Sequence, residues 1–166
     1  MNLALFQPDI PQNAGTLLRL GACLGVAVHV IGPAGFDLSD RRLRRAGLDY
    51  LDHAKLLRHV SWTDFEAWRR GPPARRLVLL TTAATRPYTD FRFRRDDVLM
   101  LGRESGGVPE YVHEAADARL LIPMTDGLRS INVALAGAMV LGEALRQTQR
   151  FPAVAEVGRT VAEASR

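Results

Sequence analysis

Short apolar runs alternate with segments of helical periodicity along this chain. Leu3 to Phe6, Val26 to Ile31, Leu77 to Leu80, Val98 to Leu101 and Arg119 to Ile122 are four to six residues long. Rich in Val, Ile and Leu, they have the pattern of buried strands. Between them, Ala14 to Leu24 reads as a helix, with Asn13 as its cap and Gly25 as its stop. Thr63 stands three residues before Glu66 in capping-box spacing, which opens a second helix over Asp64 to Arg70. Strands that alternate with helices predict an α/β fold with a mostly parallel sheet.

The strongest helical segment runs from Asn132 to Gln147, and its apolar positions, from Val133 and Leu135 to Met139, Leu141 and Leu145, fall on nearly every side. A helix that is apolar all round is buried in a core or against a partner, and in a chain this small a subunit interface is a natural place for the surplus. After Pro152 the sequence turns polar and small. We expect a single domain over residues 1–150, followed by a loosely held extension over 151–166. No internal repeat or low-complexity segment is present.

Composition narrows the class. Of 166 residues, 47% are apolar and 24% charged, the balance of an ordinary globular protein. Basic residues exceed acidic ones by four, and Lys55 is the only lysine. Arginines cluster at Arg41, Arg42, Arg44 and Arg45, and again at Arg92, Arg94 and Arg95. The guanidinium fork suits phosphate, so a nucleic-acid partner fits, although a solvated arginine-rich surface explains the charge equally well. Cys23 is the only cysteine and sits in an apolar helical stretch, where a core position is expected. The N-terminus carries no basic region ahead of an apolar run, and nothing approaches a membrane span, so a cytoplasmic protein without membrane contact is expected.

Common nucleotide and metal signatures are missing. The chain has no G-x-x-x-x-G-K-[ST] loop, no G-x-G-x-x-G after the first strand and no H-E-x-x-H. Its four histidines, at 29, 53, 59 and 113, lack metal-ligand spacing, so no metal is expected. What remains are three turns at strand ends or helix starts, where ligands bind in open α/β sheets. The first is Pro11-Gln12-Asn13-Ala14-Gly15-Thr16-Leu17-Leu18-Arg19. Arg19, in an apolar helix, either snorkels to water or points into a site. The second, Leu101 to Pro109, holds Gly102, Gly106 and Gly107 around Glu104, implying unusual backbone or close approach of a ligand. The third, Ile122 to Asn132, leads into the long helix with Arg129, Ser130 and Asn132. Free N–H groups at a helix start make that turn a candidate site for a carboxylate or phosphate.

Taken in order, Asn13-x-Gly15 with Arg19, Leu101-Gly102-x-Glu104-x-x-Gly107-x-Pro109, and Ile122-Pro123-Met124 with Arg129-Ser130-x-Asn132-Val133 resemble the three motifs of the SPOUT RNA ribose methyltransferases. The stretch from Arg41 to Tyr50 is similar to one that marks the tRNA (cytidine(34)-2′-O)-methyltransferase group within them. The resemblance covers roughly residues 1–150. It departs in the last helix, where relatives often carry tyrosine before the glutamate and this chain has Gly142 before Glu143.

That resemblance implies a parallel sheet with helices on both faces, a C-terminal trefoil knot and a homodimer. It implies S-adenosyl-L-methionine (SAM) as cofactor, held by Leu80, Gly102, Ile122 and Ser130, and the tRNA anticodon stem-loop as substrate. The implied reaction is 2′-O-methylation of the wobble ribose. Arg19 would stabilise the developing alkoxide, because arginine, with a pKa above about 12, is a poor base. Glu104, Ser130 and Asn132 would position cofactor, ribose and Arg19, while Asn13, Arg41, Arg42, Arg44, Arg45 and Arg129 would contact RNA. A related enzyme acting on another tRNA or rRNA position, or a catalytically silent RNA-binding module, are the alternatives.

Overall fold

A computed structural model of the chain describes residues 1–37, 41, 43, 45, 50 and 53–153. Six strands form one sheet: β1 (Asn2–Phe6), β2 (Ala27–Ile31), β3 (Leu56–His59), β4 (Leu77–Leu80), β5 (Val98–Leu101) and β6 (Ala118–Leu120). Their order is β3-β2-β1-β5-β4-β6, and every pairing is parallel, with Leu3 opposite Val28 on one side and Leu99 on the other. Helices α1 (Pro11–Leu24), α2 (Trp62–Arg70), α3 (Glu110–Ala115) and α4 (Val133–Thr148) supply the crossovers and covers.

Successive side chains point to opposite faces of a strand, and here both faces are buried. Leu3, Leu5, Val28, Val30, Leu99 and Leu101 face one core, closed by Leu17 and Leu18 of α1 and by Val140, Leu141 and Leu145 of α4. Ala4, Phe6, Ile31, Leu79 and Met100 face the other, closed by Phe65 of α2 and Val112 of α3. In that second core His29 is fully buried; its Nδ1 lies 2.8 Å from His59 Nε2, and the two rings stack.

The central strands lie where the apolar runs predict them. Strand β3 and helix α3 were not anticipated. The first is an edge strand with Leu57 and Arg58 exposed, and such edges carry polar residues that hide the strand pattern. The second is only six residues long.

Two helices start earlier than the sequence pattern predicts. Helix α1 begins with Pro11, capped by Ile10, so Asn13 lies inside the helix and does not cap it. Proline fits the first helical position because its missing N–H has no partner there anyway. Gly25 ends the helix as expected, in the left-handed region at φ 66°. Helix α2 is capped by Ser61, whose Oγ accepts from the Asp64 N–H at 3.2 Å, while Glu66 pairs with Arg69 and Arg70. Cys23, expected in the core, is exposed. Among the described residues no helix is long and apolar enough to cross a membrane.

Helix α4 packs close to the sheet. A Cβ on Gly137 would stand 2.8 Å from both Leu101 Cδ1 and Leu17 Cδ2, so glycine lets these two buried leucines pack directly against the helix backbone. Five residues further on, nothing lies within 4 Å of a Cβ built on Gly142.

Candidate active site

Because all strands run the same way, Phe6, Leu80, Leu101 and Leu120 end at one edge of the sheet. A cavity of about 450 Å³ opens there, between α1, α4 and the loops leaving β5 and β6. Leu80, Leu101, Leu120 and Ile122 give it apolar walls, and Thr81, Ser130 and Asn132 add polar groups.

One rim is a tight hairpin. Arg103 and Gly107 exchange backbone hydrogen bonds at 3.1 and 2.9 Å, and Gly107 holds φ +64°. Gly102 was expected to be glycine so that a ligand can approach. Its nearest constraint is internal: a Cβ there would lie 2.6 Å from the carbonyl carbon of Gly107. The glycine first lets the hairpin close on itself.

Asp9, in the loop after β1, clamps this hairpin. Its Oδ1 accepts from the Glu104 N–H at 3.0 Å and its Oδ2 from the Ser105 N–H at 3.2 Å, while its own N–H donates to Glu104 Oε2 at 3.1 Å. Hydrogen bonding with Glu104 brings the Asp9 carboxyl down to about 2. Burial, reinforced by the hydrogen bond with Asp9, raises Glu104. Glu104 Oε1 accepts from Asn13 Nδ2 at 2.9 Å, and Asn13 Oδ1 accepts from Asn132 Nδ2 at 3.0 Å. Asn132 in turn caps α4, its Oδ1 accepting from the N–H groups of Ala134 and Leu135 at 2.9 and 3.3 Å. The chain of donors therefore runs in one direction, from the N-terminus of α4 through Asn132 and Asn13 to Glu104. Bonds aligned in this way polarise and strengthen one another.

Two expectations change here. Asn13, expected to touch RNA, is only 8% exposed and uses both ends of its amide within the protein. The start of α4, expected to offer free donors to an anion, has two of its N–H groups occupied by Asn132.

Of the expected cofactor contacts, Leu80, Gly102, Ile122 and Ser130 all line the cavity, together with Glu104 and Asn132. Arg19 does not. It lies exposed on α1 with its guanidinium 5.0 Å from the Tyr50 ring centre. Arg129 is exposed on the loop before α4 and does not line the cavity. Arg41 and Arg45 are exposed around buried Leu43, and Arg42 and Arg44 lie outside the described residues. Arg94 and Arg95 sit at the opposite edge, where the Arg95 carbonyl accepts from the Met1 amine and the Arg94 N–H donates to buried Asp97. Asp9 and Arg103, both at the site, were missed; Arg103 stood inside a motif as an unassigned position. Among the described residues no group of His, Cys, Asp or Glu is arranged to hold a metal ion.

Residues 1–142 match the sequence profile of the SpoU rRNA Methylase family. The chain belongs to the SpoU methylase family. As a SpoU methylase it is 62% identical over 157 residues to the tRNA (cytidine(34)-2′-O)-methyltransferase of Beijerinckia indica, covering 95% of this chain and 98% of that one. It is 60% identical over 149 residues to the enzyme of the same name from Ancylobacter novellus, covering 90% and 94%. A solved structure described as giving insights into the 2-OH methylation of C/U34 on tRNA superposes with a TM-score of 0.82 at 41% identity, over 88% of this chain and 94% of that one. The SpoU methyltransferase AviRb of Streptomyces viridochromogenes, in complex with AdoMet, superposes with a TM-score of 0.81 at 26% identity, over 89% of this chain and 60% of that one. The parallel sheet with helices on both faces is thus the fold of SpoU methylases.

Proposed function

We propose that this SpoU methylase transfers a methyl group from SAM to the ribose 2′-hydroxyl of the tRNA wobble nucleotide, position 34, within the anticodon stem-loop. The observation that carries the reading is the convergence of all three motif turns on one cavity, tied through Asn13 to Glu104 and Asn132. The names borne by relatives at 62% and 60% identity supply the position on the RNA.

The cavity suits SAM in size and lining. Leu80, Leu101 and Ile122 offer apolar surface to an adenine, and Thr81 and Ser130 offer hydroxyls to its sugar and amino-acid groups. When bound, SAM supplies a methyl carbon on a cationic sulfur. The chain's own task is to hold the hairpin and the start of α4 rigid around it, and to ease loss of the proton from a hydroxyl that is a weak nucleophile at neutral pH. Glu104, with both oxygens engaged, acts by position, as do Asn132 and Asn13. Arg19 is the residue that the family motif assigns to the developing alkoxide.

The same reading includes a homodimer seated on α4, where Leu135 and Met139 are 61% and 42% exposed one turn apart. It includes the C-terminal trefoil knot, action in the cytoplasm, a catalytic domain over 1–150 and an accessory tail over 151–166, of which 154–166 lie outside the described residues.

Because the family profile is named for rRNA, the decisive experiment offers both substrates. Protein, labelled SAM and either total tRNA or rRNA are incubated, and labelled nucleosides are mapped. Label in a 2′-O-methylated nucleoside at position 34 supports the proposal. Label in rRNA, at another tRNA position, or in neither RNA overturns it.

A further inference from the structure

Arg103 is the one cationic side chain among the described residues that line the cavity. It is exposed at the mouth, and among the described residues no carboxylate is within ion-pair distance of it. The adjacent acid, Glu104, has both oxygens engaged by Asp9 and Asn13 and makes no ion pair with Arg103. The guanidinium folds back over Gly106: a Cβ built there would stand 3.4 Å from Arg103 Nε. The backbone beneath it is fixed by the bonds to Gly107 and by the Asp9 clamp. An unpaired arginine on a rigid hairpin at the mouth of a cavity is placed to receive an anion.

Two anions could reach it, the carboxylate of the cofactor and a phosphate of the RNA. We infer that Arg103 binds the RNA phosphate beside the target ribose, and so draws the substrate's 2′-oxygen into the cavity. This rests on the proposed RNA 2′-O-methyltransferase function. In RNA the 2′-oxygen and the 3′-phosphate are carried on adjacent ring carbons, so one cannot enter without the other. Exposure at the mouth suits an entering polymer better than a small molecule enclosed behind it. The guanidinium fork matches two phosphate oxygens at once.

The test compares wild type, Arg103→Gln and Arg103→Lys in three measurements: tRNA binding as a function of salt, single-turnover methylation across tRNA concentration, and S-adenosylhomocysteine binding by calorimetry. Arg103→Gln is expected to weaken tRNA binding about tenfold and to lower the salt slope by about one. Half-saturating tRNA should rise in step, with the rate at saturation within threefold and S-adenosylhomocysteine affinity within twofold of wild type. Arg103→Lys keeps the charge and should restore most of the salt slope. Unchanged tRNA affinity in both variants overturns the inference. So does a tenfold loss of S-adenosylhomocysteine affinity with an unchanged salt slope, which would assign the anion to the cofactor. A wild type that binds tRNA in an Arg103-dependent way but does not methylate position 34 sinks the proposed function and leaves this contact standing. A wild type that does not bind tRNA sinks both.

Discussion

Asn132 donates a hydrogen bond of 3.0 Å to Asn13, joining the start of the last helix to the first across 119 positions of sequence. Each residue also holds a second partner, so the pair couples the cap of α4 to the carboxylate of Glu104. Asn13→Ala removes both of its bonds and leaves Glu104 and Asn132 each short of a partner. We expect a loss of about 1–3 kcal/mol in urea denaturation. S-adenosylhomocysteine affinity should fall as well, because the cavity walls are no longer tied. Unchanged affinity would show that the walls hold without the tie.

The glycines of the hairpin should differ sharply in tolerance. Gly102→Ala places a Cβ against Gly107 backbone, which cannot move aside, whereas Gly106→Ala meets only the flexible end of Arg103. Calorimetry should show S-adenosylhomocysteine binding weakened at least tenfold by the first and less than threefold by the second.

A similar contrast lies within α4. Gly137→Ala overpacks Leu17 and Leu101 and should destabilise by about 1–3 kcal/mol. Gly142→Ala meets nothing in the single chain and should stabilise by about 0.5–1 kcal/mol through helix propensity. Urea denaturation measures both. A destabilised Gly142→Ala would reveal a second molecule packed against that position.

The paired histidines predict a dependence on acid. Burial, and then the proximity of His59, brings His29 down to about 3; Arg75 acts in the same direction. Burial lowers His59 too, opposed by Asp64. Both folded values lie below the unfolded value of about 6.5, so stability is full above that pH and declines as pH falls toward the folded values. His29 adds up to about 1.4 kcal/mol per pH unit to that decline, and the more exposed His59, screened by solvent and opposed by Asp64, adds less. Melting temperature should therefore drop between pH 7 and pH 5, and His29→Phe should flatten the drop. An equal drop in the variant would place the titration elsewhere.

Arg19→Ala separates two roles for its side chain. An alkoxide-stabilising arginine predicts a loss of about a hundredfold to a thousandfold in single-turnover rate at saturating SAM and tRNA, with S-adenosylhomocysteine affinity unchanged. A helix residue resting on Tyr50 predicts a rate within threefold of wild type.

Periodicity revealed what was buried on both sides and little else. The central strands stood out because their residues are apolar without interruption, and α4 because fifteen or so residues of one pattern are hard to mistake. Strand β3 was hidden by Arg58 and His59. At the site, the motif residues of all three turns were legible through family resemblance, and most line one cavity. Asp9 was not, because its partners Glu104 and Ser105 lie 95 and 96 positions away and a backbone clamp leaves no mark in composition. Asn13 shows the reverse error: a residue type that favours caps sits inside a helix, because Pro11 takes the first helical position and tertiary partners claim the amide.

A strand of five residues spans about 16 Å, and β1 sets that distance between the Met1 end of the sheet and the edge where the cavity opens. The two ends of the sheet are thus separated workspaces. A fluorophore or surface tether attached at residue 1 would sit at the end of the sheet opposite the cavity, so the protein can be immobilised from that side with the cavity left open to solution.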